Sequence, residues 1–347
     1  MIKKRYDYID IARGIGILMV VWAHIMVTGW SHELFYSFHM PLFFFLSGMV
    51  FQKGKYRSFE DFFVHRAKRL LLPYAVYSVA TWAFWAVFRY VRHDEVNSYV
   101  MPLFQTFIAQ GSGAYFEHNS ALWFIPCLFL TEILYFFISH LGRLWSIIVC
   151  FGCAAISFIL GELFGDNYWF LLPWNADAAL IALPFYAVGN VLVKNVGHDG
   201  ITKFVDDNKV RSILLWLCLS IPLFWSAISF GECSMGSSSY LCGAWIFIPR
   251  AFLGIIWLIL FSILFGTVQT YNKITSILTR YTKWAGINSL DIMCLHIPLK
   301  GVFMILVAMT IHVTVEDVSN DYWYSLISFI LTMISAWIII RAIRHFL

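Results

Sequence analysis

Long apolar blocks separated by short polar segments run the length of the chain. Blocks of about 17–25 apolar residues match the thickness of a bilayer. Ten can be drawn, at 12–29, 34–51, 71–90, 121–139, 145–164, 176–194, 212–230, 244–267, 286–312 and 323–341. The pattern predicts an all-α polytopic membrane protein of about ten transmembrane helices, forming a single transmembrane domain over residues 1–347. The longest polar stretches, 91–120, 52–70 and 195–211, are each too short to bury a core of their own. The first block carries Arg13 and His24 and has no small-residue cleavage site, so it is expected to stay as an anchor rather than leave as a signal peptide. No internal repeat stands out.

Composition narrows the function classes. Only 13% of the 347 residues are charged and 60% are hydrophobic, with a mean hydropathy of +0.73. Soluble domains carry roughly 25% charged residues, so a soluble enzyme, a disordered chain and a nucleic-acid-binding domain are all excluded. The net charge of +4 reports topology. With a cytoplasmic N-terminus, all of the 24 Lys and Arg except Arg89, Arg92, Arg250 and Lys300 fall in inner segments or at inner span ends, as the positive-inside rule requires. Both termini are then cytoplasmic, and an even number of spans is favoured. Cys127, Cys150, Cys153, Cys218 and Cys294 read as small apolar fillers within spans. Cys233 and Cys242 flank an outer stretch where a disulfide is permitted, and spacing alone leaves that pairing open. No spacing resembles a metal site.

Ionisable residues inside spans are costly and are functional candidates by default. Arg13 and His24 are eleven residues apart, about three helical turns, which places them on one face roughly 16 Å apart. Arg13 falls at the cytoplasmic interface and His24 toward the outer half. Either also has a structural reading, as a snorkelling Arg and a histidine satisfied by a neighbouring helix. His39 precedes Pro41 at the outer start of the second block, where Ser47 and Gly48 are small enough for close helix approach. On a helix, Arg66 and Arg69 point the same way. Two guanidinium forks suit phosphate oxygens, although a basic cluster here equally suits anionic lipid headgroups. Trp123, Arg250, Asn288, His296 and Lys300 are further polar or amphipathic groups within spans. They fit a cavity wall or interhelical hydrogen bonding, equally for His296 and Arg250, with Asn288 better suited to the latter.

Arg13 followed ten residues later by His24 resembles the signature of the acyltransferase-3 family of membrane acyltransferases. Phe38-His-Met-Pro-Leu-Phe-Phe-Phe-Leu-Ser-Gly resembles its second-span motif, and Arg66-Ala-Lys-Arg69 with Pro73 and Tyr74 resembles its cytoplasmic Arg-x-x-Arg motif. Leu122-Trp-Phe-Ile-Pro and Leu183-Pro-Phe-Tyr-Ala-Val-Gly look like its middle-span patterns. Gly286-Ile-Asn-Ser-Leu-Asp-Ile-Met-Cys-Leu-His296 looks like a late motif of its fucose 4-O-acetylase and polysaccharide O-acetyltransferase branch. Asp291 stands where such proteins more often carry an apolar residue. The resemblance implies transfer of an acyl group, usually acetyl, from cytoplasmic acyl-CoA to a hydroxyl of a surface glycan or lipid-linked saccharide. It also implies residence in the bacterial cytoplasmic (inner) membrane. The family's extracytoplasmic SGNH-type domain is not expected in this chain.

The roles implied are His24 as general base, with Asp10 orienting Arg13 and Ser47 donating to the oxyanion. Arg13, Arg66, Arg69 and Tyr74 are expected at the acetyl-CoA site, and His39, Trp123, His296 and Arg250 at the acceptor site. A covalent acyl-histidine is the rival route. Membrane lipids, the saccharide acceptor and acyl-CoA are the expected partners, with no nucleic acid and no metal; monomer or homodimer is left open. The rival classes are a transporter or flippase of a glycan precursor and a non-catalytic scaffold.

Overall fold

A computed structural model describes residues 5–111, 116–164, 172–237, 239–240, 243–267 and 272–346. Fourteen α-helices and one short hairpin are described, and nine of the helical segments are long and apolar enough to cross a membrane. The chain is an all-α polytopic membrane protein. Its sides are apolar, as a lipid-facing surface requires: Ile221 is 74% exposed and Leu163 71%.

The first helix, α1 (Asp7–Ile25), is mostly buried in the middle of the bundle. The second apolar block, expected as one span over 34–51, is instead broken. It forms α2 (Trp30–Tyr36) and α3 (His39–Met49), with the backbone leaving helical geometry at Phe38 (φ −149°, ψ −10°). A helix break at membrane depth is tolerated where protein, not lipid, surrounds it. Here Ser37 and Phe38 are wholly buried, and the Ser37 hydroxyl donates to Leu34 O at 2.6 Å.

The remaining helices are α4 (Phe59–Val91), α5 (Met101–Ile108), α6 (Phe124–Ile138), α7 (Arg143–Phe164), α8 (Ala176–Asp206), α9 (Lys209–Phe230), α10 (Ala244–Thr267), α11 (Lys273–Ile287), α12 (Ser289–Ile311), α13 (Val315–Asn320) and α14 (Tyr322–Phe346). The strands β1 (Cys233–Ser234) and β2 (Ser239–Tyr240) pair antiparallel between α9 and α10. Cys233 is disulfide-bonded, and Cys242 lies outside the described residues.

Two further features depart from the sequence expectation. The ninth block begins at Ser289 rather than at residue 286, because α11 is a separate helix joined to α12 at Asn288. Opened by a reciprocal Asn272–Thr275 capping box, α11 packs along the N-terminal half of α1. The crossing is made possible by two glycines. A Cβ on Gly286 would stand 1.8 Å from the Asp10 carbonyl oxygen, and one on Gly14 would stand 1.9 Å from that of Thr282. The basic segment 62–70, expected outside the span with Arg66 and Arg69 on a helix, is continuous with the span as the first turns of α4, capped by the Ser58 hydroxyl accepting from Asp61 N–H.

The contacts sort the residues into two ends. At one lie the Lys283–Asp7 pair, the Arg344–Asp291 pair and the Arg143–Asn195 hydrogen bond. At the other lie Thr28 against Asn320 and His32 against Glu232. The first is the basic end, and the start of α1 and the end of the last helix are both there. The chain from Gly29 to Phe51 runs from the far end back to the basic end, where the Phe51 ring meets Phe62 and Tyr135.

Candidate functional site

At the far end from the termini, four histidines and a tyrosine gather around the C-terminus of α1. His24 is the penultimate residue of that helix. Its ring meets His296 of α12 edge-on at 5.0 Å between centroids and lies 6.2 Å from Tyr36. Tyr36 in turn lies 5.0 Å from His39 and 4.3 Å from His32. The break between α2 and α3 puts Tyr36 and His39, three residues apart, on the same wall.

All four imidazoles are held the same way. Nδ1 of His24 faces Val20 O at 2.8 Å, that of His39 faces Phe35 O at 2.5 Å, and that of His296 faces Met293 O at 2.8 Å. Nδ1 of His32 faces Ala23 O and Met26 O, both at 3.0 Å. A carbonyl only accepts, so each Nδ1 carries the proton, and in the neutral rings of His24, His39 and His296 the Nε2 presents a lone pair. His32 differs: a carboxylate also only accepts, so its Nε2–H donates to Glu232 at 3.4 Å and holds the Glu232 carboxyl below the usual range. The Nε2 of His296 is buried without a partner. Lys300, one turn beyond, donates to the His24 carbonyl at 2.6 Å and fixes the end of α1.

His24, Tyr36 and His39 line a cavity of ≈ 60 Å³, together with Trp123 and the hairpin residues Ser234 to Gly236. Asn175 ties its roof together: its side chain accepts from Gly111 N–H at 2.8 Å and donates to Gly236 O at 2.9 Å. Asn119 donates to Cys294 O at 2.7 Å and fastens the preceding segment to α12. Among the described residues no group of three or more His, Cys, Asp or Glu converges closely enough to hold a metal ion.

The basic end carries the second constellation. Arg66 donates through Nε and Nη2 to both carboxylate oxygens of Glu132 on α6, and Glu132 is 1% exposed. Tyr186 lies within electrostatic reach of that carboxylate. Arg13 lies within electrostatic reach of Arg66 and Arg69, and Arg69 is exposed. Arg66 holds the buried carboxylate, Arg69 lies within its electrostatic reach, and Arg13 lies near both arginines. With its side edge on Glu132, Arg66 keeps its Nη1 edge for another anion, because a guanidinium carries five N–H donors.

The structure therefore brings His24, His39 and Trp123 together at one cavity, with His296 behind His24. It brings Arg13, Arg66 and Arg69 together at the other end. Asp10 lies within electrostatic reach of Arg13 and accepts from Arg5 Nε at 2.6 Å. The other expected residues sit apart from these two groups. Tyr74 donates to Thr106 O of α5 at 2.5 Å. Arg250 is buried and clamps Gly231 O and Glu33 O, each at 2.9 Å, so it anchors the hairpin to α2. Ser47 stands eight residues beyond His39, about 12 Å along α3, and is not in the cavity wall. Glu132, Tyr36 and Asn175 carry much of the arrangement and have no motif around them. Only a carboxylate inside an apolar block marked Glu132 as unusual.

The profile of the acyltransferase-3 family, described as an acyltransferase domain, matches residues 6–341. The chain belongs to this family. No curated protein and no solved structure matches it. As a member it is a membrane acyltransferase, and both constellations lie within the matched residues.

Proposed function

We propose that the protein transfers an acetyl group from cytoplasmic acetyl-CoA to a hydroxyl of a surface glycan or lipid-linked saccharide. The observation that carries this reading is the state of His24. Its Nδ1–H is committed to Val20 O, which leaves Nε2 a lone pair, and its ring lines a cavity at the end of the bundle away from the arginines. A neutral imidazole so held is a general base for a hydroxyl.

In this reading Arg13, Arg66 and Arg69 hold the phosphates of the acyl donor, while the pantetheine arm reaches along α1. The eleven residues from Arg13 to His24 give roughly 16 Å of rise for that arm to follow. His24 Nε2 removes the acceptor's hydroxyl proton as the oxygen forms a bond to the thioester carbonyl carbon. The carbon–sulfur bond then breaks, and the proton passes from His24 to the departing thiolate, leaving an ester and free CoA. Trp123 and His39 line the acceptor side. Residence in a bacterial inner membrane belongs to the same proposal.

Mass spectrometry of surface glycans from cells with and without the protein tests it. An acetyl mass increment is expected with the wild type and lost with His24→Ala, whose transfer rate falls by about 10²–10⁴-fold, the usual worth of a general base. An unchanged increment in His24→Ala, at equal protein level in the membrane, overturns the assignment.

A further inference from the structure

The cavity beside His24 has a second acceptor nitrogen that general-base catalysis does not require. His39 is 2% exposed, its Nδ1 is committed to Phe35 O, and it lines the same cavity. Neither His24 Nε2 nor His39 Nε2 has a hydrogen-bond partner among the described residues. None of the residues named in the cavity wall is Asp, Glu, Lys or Arg. Of the nearby charges, Glu232 is taken up by His32, Lys300 by the His24 carbonyl and Arg250 by backbone carbonyls.

We propose that the cavity binds the acceptor by an uncharged pair of neighbouring hydroxyls, one donated to His24 Nε2 and acylated, the other donated to His39 Nε2 and left free. The proposal rests on the acyl-transfer reading above and adds the class of acceptor.

Three physical points converge on it. Two lone pairs need two donors, and one alcohol supplies only one O–H. A carboxylate or phosphate brings acceptors alone and would face lone pairs; an ammonium brings a charge, and no Asp or Glu is among the lining residues to pair with it. Geometry brings both rings to one cavity, where they flank Tyr36 at 6.2 and 5.0 Å between centroids. The oxygens of a vicinal diol, roughly 3 Å apart, with a hydrogen bond of about 2.8 Å at each end, bridge nitrogens up to roughly 8 Å apart. Volume fits as well. At roughly 15 Å³ per water, ≈ 60 Å³ is room for about four waters. That is the hydroxylated edge of a sugar ring rather than the whole ring. His39 is then a specificity-determining residue, choosing which hydroxyl faces the base.

The test is positional. Surface glycans from cells making the wild type, His39→Phe or His39→Gln are analysed by NMR for the site of the ester, with membrane protein levels matched. In the wild type the ester is expected on a hydroxyl whose neighbouring carbon carries a free hydroxyl. Preference for that position over its neighbour is expected to fall roughly 10–100-fold in His39→Phe, the worth of one buried hydrogen bond. His39→Gln, which keeps an acceptor oxygen, should restore it in part. An ester on an isolated hydroxyl, or unchanged positional preference in His39→Phe, overturns the diol assignment and leaves acyl transfer standing. Absence of any ester with the wild type overturns acyl transfer and this inference with it.

Discussion

Spacing exposed Arg13, His24, Arg66 and Arg69 because each is an ionisable residue in or beside an apolar block, and the free-energy cost of such a position is visible without coordinates. It hid what they touch. Nothing near residue 132 says that its carboxylate meets Arg66, 66 residues earlier, because a bidentate pair depends on how α4 and α6 cross. The pair changes what Arg66 can be asked to do. Removing either partner leaves a buried charge, a change that costs about 3–5 kcal/mol, whereas replacing both by apolar groups is often neutral. Arg66→Ala and Glu132→Ala are therefore each expected to lower the melting temperature sharply, and Arg66→Met/Glu132→Leu to recover most of it. The recovered double variant is also expected to lose thermal stabilisation by acetyl-CoA. Thermal denaturation of the purified proteins with and without acetyl-CoA reads both effects. Full stabilisation by acetyl-CoA in the double variant would remove Arg66 from the donor site.

Nine of the ten apolar blocks are legible at the scale of elements because a long run of apolar residues has one outcome in a bilayer. The exceptions share a cause. The 34–51 block is as apolar as the others, but it is enclosed by protein, so it is free to break at Ser37 and Phe38. That break is what turns Tyr36 and His39 toward His24. Helix α11 carries Arg280 and Lys283 and reads as a cytoplasmic connection, yet one face is buried on α1. Its only sequence marks are small residues, and their meaning depends on the partner helix. The crossing gives a sharp expectation. In Gly286→Ala the new methyl group would meet the Asp10 carbonyl at 1.8 Å, so the two backbones must separate. A loss of about 1–3 kcal/mol is expected, the usual cost of overpacking. Gly301→Ala, where nothing lies within 4 Å of the added atom, should be nearly neutral. Comparing the two melting temperatures checks this, and equal values would mean that α11 does not pack on α1 in the membrane.

For the whole molecule, the distribution of charge and the path of the chain give the same answer by independent routes. Lys and Arg cluster at the end that also holds Asp7, Asp291 and Arg344, and the positive-inside rule makes that end cytoplasmic. The path agrees only if the broken α2–α3 segment carries the chain from one side to the other, as its contacts at Phe51 indicate. A segment that instead turned back to the outer side would put Lys53, Lys55 and Arg57 outside and invert every later loop. Labelling of single cysteines with a membrane-impermeant maleimide in intact cells separates the two. Thr28→Cys and Glu316→Cys, both exposed, should react from outside, while Lys55→Cys, Asp206→Cys and Arg280→Cys should react only after the membrane is opened. The result bears on chemistry as much as on topology. Cytoplasmic Lys55 puts Arg66 and Arg69, one helix start later, on the side where acyl-CoA is made, and leaves the His24 cavity near the side where glycans are displayed. Labelling of Lys55→Cys from outside would separate the arginines from their donor and end the proposed division of labour between the two ends.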